Sequence, residues 1–201
     1  MNRLRALALA VLVSPALASC GLLEDDAPSA SEVNSSDRVE VDGVSFDKPE
    51  NWLAVEPDDL AKGADDESMD EVYDALNTAA DAFAEILKQF DVYLVDTIGA
   101  TNGFADNISV AGAPGPVPDE GALEAQYAAV GANDVVIERV DSGVGEVLTG
   151  QFTIDLGRLV AHGESIVVEQ GDDMVVITVS AQKPAVLEKL AAGILETLDE
   201  E

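Results

Sequence analysis

The side chains able to do chemistry are few in this chain and lie far apart. Its one cysteine, Cys20, sits in "LASCGLL", behind an apolar leader and ahead of a polar tail. With no second cysteine, an intramolecular disulfide is impossible, and the thiol is best read as a point of attachment. The one histidine, His162, excludes a His-rich zinc centre and an HExxH helix. "GESIV" from Gly163 lacks the second glycine of a nucleophile elbow, and a Ser/His/Asp triad would have to draw on His162. Its alternation with Val160 and Glu164 puts His162 on a strand face, as a satisfied, half-exposed histidine rather than a general base. Neither GxxxxGK[ST] nor GxGxxG occurs, so nucleotide binding has no support. The acidic run "DDESMDE", Asp65 to Glu71, lacks EF-hand spacing. It reads as a solvated helix N-terminus favoured by the macrodipole, with loose calcium binding as the sharper alternative. No residue is assigned to catalysis, a cofactor or a metal, and the ligand-binding face is left open.

The elements that must position these groups begin with "MNRLRALALAVLVSPALASC". Arg3 and Arg5 form a short basic region, Ala6 to Val13 is an unbroken apolar run, and Ser14-Pro15 breaks it. That order is a secretory signal, too short to span a bilayer permanently. Leu17-Ala18-Ser19-Cys20 resembles the lipobox of bacterial lipoproteins. The resemblance implies a signal peptide over 1–19, a diacylglyceryl group on the Cys20 sulfur and Sec export, because the arginines are not a twin pair. An ordinary signal with an incidental or core cysteine is the competing reading. Two acyl chains anchor stably where one holds marginally. Gly21 to Arg38, "GLLEDDAPSASEVNSSDR", is too poor in large apolar groups to offset its ordering entropy. Residues 20–38 therefore read as a lipidated flexible tether with a reach of about 23 Å.

About 180 residues remain once the leader is removed, enough for one domain, 39–201, with a proper core. The net charge of −30 becomes more negative when Arg3 and Arg5 leave. Such a charge excludes nucleic acid, which is held by Lys and Arg, and disfavours docking on anionic headgroups. Solubility explains the acidity, and a docking face for a basic partner is the sharper account.

From Val39 the pattern resolves into elements. "VEVDGVSF" is a hairpin around Asp42-Gly43, and "DKPENW" delivers Trp52 as a core plug. "VEPDDLAKG" predicts a helical turn from Pro57 to Gly63. Residues 68–90 predict one amphipathic helix with the stripe Met69, Val72, Tyr73, Leu76, Ala80, Phe83, Ile86, Leu87 and Phe90. "DVYLVDT" and "NISVAG" are strands, and "APGPVP" is a stiff loop. Pro118 opens a helix to about Val130 that Gly131 closes. Four strands follow, "DVVIERVD", "VGEVLTGQFTI", "GRLVAHGESIVVE" and "MVVITVSA", with links short enough to demand antiparallel neighbours. A helix from Pro184, striped by Leu187, Leu190, Ala191, Ile194, Leu195 and Leu198, ends the chain. The expected fold class is α+β, an antiparallel β-sheet with helices on both faces.

That order of elements, with "VDGVSFDKPENW", "NISV", the meander from Asp134 to Ala181 and the closing "ILETL", resembles the PsbP/Mog-like α/β/α sandwich. Together with the lipobox it resembles the actinobacterial LpqN-type lipoproteins over Val39 to Leu198. The resemblance implies no enzyme and no cofactor. It implies instead a monomeric, non-enzymatic binding or scaffolding module in cell-envelope biogenesis, exported and lipid-anchored by Cys20 to the outer face of the bacterial cell membrane. An envelope protein is the expected partner. The alternative is a carrier for a lipid or glycolipid in an internal cavity, motivated by small residues (Ala79, Ala80, Ala191, Ala192, Gly193) expected to face the sheet; a hydrolase using His162 is a distant third. The Pro-rich "GAPGPVP" connection is rigid enough to present a binding face.

Overall fold

The computed structural model describes residues 38–57, 67–101 and 103–200. The leader, Cys20, the tether up to residue 37, Asp65-Asp66 and the helical turn expected after Pro57 lie outside the described residues. Strands β1 (Arg38–Val41) and β2 (Val44–Asp47) form the expected hairpin. Asp42 and Gly43 take φ of 48° and 80°, the positive values that a tight two-residue turn requires. β1 begins at Arg38, one residue before the boundary expected at Val39. The Arg38 guanidinium donates to Asp47 Oδ1 and Ser45 Oγ, each at 2.9 Å, which ties it into the hairpin. Trp52 leads into β3 (Leu53–Val55) and is buried in the core as a plug.

The single helix expected over 68–90 is two helices, α1 (Glu67–Leu76) and α2 (Ala80–Leu87). Asn77 adopts φ 47°, and the N–H groups of Asn77 and Thr78 turn back to the carbonyls of Asp74 and Tyr73 at 3.1 Å, ending α1. Ala79 is extended, and its carbonyl accepts from Phe83 N at 3.0 Å to start α2. The apolar stripe survives the break: Met69, Val72, Leu76, Phe83, Leu87 and Phe90 are all buried in one cluster.

β4 (Val92–Val95) and β5 (Asn107–Pro114) follow. β5 runs through Ala113 and Pro114, which the sequence placed in a loop. Pro114 lacks an N–H to donate and occupies the last paired position, opposite Asp173. Helix α3 (Glu120–Ala129) starts after Asp119 rather than at Pro118. Asp119 Oδ1 accepts from Ala122 N at 2.8 Å, and this cap fixes the start. Gly131 closes the helix at φ 77°. The meander β6 (Asn133–Ser142), β7 (Gly145–Asp155), β8 (Val160–Gln170) and β9 (Asp173–Ala181) precedes α4 (Pro184–Thr197), which opens on its proline, and the short β10 (Asp199–Glu200).

Seven strands form one antiparallel sheet in the order β3-β4-β5-β9-β8-β7-β6, and β1-β2-β10 form a small second sheet. On one face of the large sheet, α4 and the β1–β2 hairpin cover Leu94, Ile108, Val110, Ile166, Val168, Ile177 and Val179. On the other, α1 and α2 pack over Tyr93 and Val95 near one edge. α3 packs over Leu148, Phe152, Val167 and Val176 nearer the opposite edge. This is the α+β class expected from the sequence, an antiparallel sheet with helices on both faces. Two glycines let rings lie flat on the sheet: a Cβ at Gly150 would enter the Tyr127 ring, and one at Gly163 the Phe152 ring. Those rings stack at 4.9 Å, and the Tyr127 hydroxyl donates to the Gly150 carbonyl at 3.1 Å.

Candidate functional site

The side chains of β8 alternate between the two faces, so His162 and Glu164 share the α4 side with Ile166 and Val168. The register sets Gln151 opposite Glu164, Thr153 opposite His162 and Val136 opposite Gln151. Ile166 and Val168 lie in the apolar core. His162 and Glu164 instead line a cleft of about 310 Å³ between β7, β8 and the first turns of α4, which contributes Pro184, Leu187 and Glu188. A bulge in β6 swings Asp134, at φ 52°, to the cleft, where its Oδ2 accepts from Thr153 Oγ1 at 2.9 Å.

Glu164 is the electrostatic centre of this cleft. It is 5% exposed, and its Oε2 accepts from Gln151 Nε2 at 3.0 Å. Burial raises its carboxyl above the ordinary glutamate range, the Gln151 hydrogen bond works against that, and the nearby charge of Glu138 adds to it. Among the described residues that line the cleft, none is a lysine or arginine. The cleft therefore offers a desolvated acceptor with neutral support, suited to a cation.

His162 is half-buried, as its alternation predicts. Ser165 of "GESIV" lies on the opposite face, fully buried, with its Oγ 3.0 Å from Thr178 Oγ1. An odd separation along a strand sends the two side chains apart, so His162 and Ser165 make no nucleophile–base pair. Among the described residues no group of three or more His, Cys, Asp or Glu side chains is placed to hold a metal ion. The α3 side has its own buried hydroxyls. Burial pushes the Tyr127 phenol up to about 12, and the fully buried Tyr93 hydroxyl, also raised by burial, has no hydrogen-bond partner among the described residues.

The small residues expected to face the sheet do so only in part. Ala191 is buried, whereas Ala79, Ala192 and Gly193 are exposed, because the stripe of α4 runs through Leu187, Ala191 and Ile194. The space among α1, α2 and β5, lined by Leu76, Phe83, Ile86 and Asn107, measures about 20 Å³, room for a single water. Sequence reading missed Glu164 and Gln151 as a pair. A signal was present: along "HGESIVV" the positions 162, 164, 166 and 168 change from polar to apolar on one face, which marks where cover by another element begins.

No family model and no curated protein matches the chain. Among solved structures it is similar to the solution structure of cyanobacterial PsbP (CyanoP) from Synechocystis sp. PCC 6803. The two are 16% identical over 87% of this chain and 98% of that one, with a TM-score of 0.48. No helix among the described residues is long and apolar enough to cross a membrane.

Proposed function

We propose that the chain is an exported lipoprotein, held to the outer face of the cell membrane by lipid on Cys20, whose domain acts as a non-enzymatic binding or scaffolding module for another envelope protein. The observation that carries the docking part of this reading is the open stretch of sheet face beside the first turns of α4. There β6 is a sheet edge of ten residues, none of them buried, next to an open cleft with a buried carboxylate at its floor. The lipobox-like "LASC" and the tether support the anchor, which matches what the LpqN-type resemblance implies for localisation. The lipid-carrier alternative draws less support, since the space between α1, α2 and β5 is far too small for an acyl chain.

The test is in-cell photocrosslinking from Val136, on the exposed edge strand, with fractionation of Cys20→Ala alongside. The expected result is a discrete protein adduct from Val136 and none from Glu71 on the far face of the sheet. The Cys20→Ala protein should leave the membrane fraction. Cells that yield no reproducible adduct would overturn docking, and a Cys20→Ala protein that stays in the membrane would overturn the anchor.

A further inference from the structure

The cleft is lined by polar and acidic groups, with Phe152, Pro184 and Leu187 as its apolar parts. Val136, 50% exposed, stands in one cross-strand row with Gln151 and Glu164. Leu187 of α4 forms part of the facing wall. A cationic side chain with a long aliphatic stem carries both kinds of part, methylenes first and charge last. Among the described residues that line the cleft, no lysine or arginine stands against the floor. A buried carboxylate is costly unless paired, and here its hydrogen-bond partner is an amide while Asp134, Glu138 and Glu188 in or beside the cleft are acidic. The net charge of −30 draws basic surfaces from a distance, but a desolvated acceptor at the floor of an acidic cleft, with Leu187 on its wall and Val136 in the next position of the same row, gives a fixed seat.

We propose that this cleft receives one lysine or arginine side chain from a basic segment of a protein partner, its stem along Val136 and Leu187 and its charged head on Glu164, held from the side by Gln151. The proposal rests on the docking reading and supplies the chemistry of the partner. An arginine gains more than a lysine, because its planar fork reaches the Glu164 carboxylate and the Gln151 amide oxygen together.

The test is an NMR titration of the ¹⁵N-labelled full chain in detergent micelles at physiological salt. The probe is acetyl-Ala-Arg-Ala-amide, with the same peptide carrying citrulline as the uncharged control. Saturable shifts are expected at the Gln151 side-chain amide and at the His162 and Glu164 backbone, at least 10-fold weaker for citrulline. Glu164→Gln, which keeps shape and removes charge, should weaken the arginine peptide at least 10-fold, and Glu71→Gln should leave it unchanged. Equal binding by the citrulline peptide, equal weakening by Glu71→Gln, or the lack of saturable shifts in the wild-type protein would overturn the proposal. So would Glu164-dependent shifts produced by phosphatidylethanolamine vesicles and not by the peptide, which would assign the cleft to a lipid amine. The citrulline arm uses only wild-type protein, so the proposal stays testable if the variant folds poorly. The titration uses no partner, so its outcome is separate from that of the crosslinking.

Discussion

Strand β8 serves two tasks on the same face. Ile166 and Val168 are 0–1% exposed beneath α4 and its neighbours, whereas two and four residues earlier Glu164 and His162 line an open cleft. The difference comes from cover. Seven strands at about 4.8 Å spacing make a sheet roughly 29 Å across, and one helix is only about 10–12 Å wide. α4 and the hairpin together roof the β4-β5-β9-β8 side, and the end of α4 also reaches the β6–β7 hairpin at Val140 and Val147, which leaves open only the stretch of β6 and β7 around Val136 and Gln151, and the side chains follow suit. Polar character along a strand here records where the roof ends, and the boundary is where a buried charge and an open cleft coincide.

This contrast can be broken by substitution. Ile166→Ala, in the roofed half, should cost about 2–5 kcal/mol in denaturant unfolding, because a fully buried side chain leaves a cavity. Gly163→Ala tests the opposite face at the same strand; its new methyl enters the Phe152 ring and should cost about 1–3 kcal/mol. Glu164→Gln, two residues from Ile166, should do the reverse at pH 7 and stabilise by up to about 1 kcal/mol. The sign follows from the raised carboxyl, which makes the folded chain take up its proton at higher pH than the unfolded chain. Wild-type stability therefore rises as pH falls from the raised value to the ordinary glutamate range. The advantage of the Glu164→Gln variant should fade by about pH 4, as thermal unfolding at several pH values will report. Val136→Ser, at the rim, should move stability by no more than about 0.5 kcal/mol while weakening the arginine peptide, since its side chain is half exposed. Were Ile166→Ala and Glu164→Gln to shift stability equally, the division of the face would be wrong.

Much of this architecture was legible in the residues. Asp42-Gly43 names its own turn, Pro184 its own helix start, and the meander its antiparallel order, because short links between alternating runs leave few geometries. The break at Asn77 was not legible. The stripe positions Leu76 and Phe83 are seven apart, which suits two turns of one helix as well as two helices with a three-residue link, so periodicity alone cannot separate them. Asn is one of the few side chains at ease at positive φ, and that was the available hint. The α3 start was misplaced because Pro118 and Asp119 are both good openers, and only the bond from Ala122 N to Asp119 decides between them. The cleft was hidden for a different reason. His162 was visible as a lone histidine, but its neighbours Gln151, Asp134 and Glu188 come from three other elements, and only the strand register brings them together.

The small sheet has a practical consequence. Ser45 of β2 pairs on one side with Glu40 and on the other with Asp199, so β1 and β10 run parallel about two strand spacings, or 10 Å, apart, and Arg38 and Glu200, offset by three residues along them, stand roughly 14 Å apart. A short peptide could join them, and new ends opened at the exposed Gly171-Asp172 turn should give a circular permutant with the same core. A fluorophore or affinity handle after Glu200 emerges level with Val41 and Val44, at the turn end of the hairpin, so it would report distances from the end opposite the one where the chain enters at Arg38.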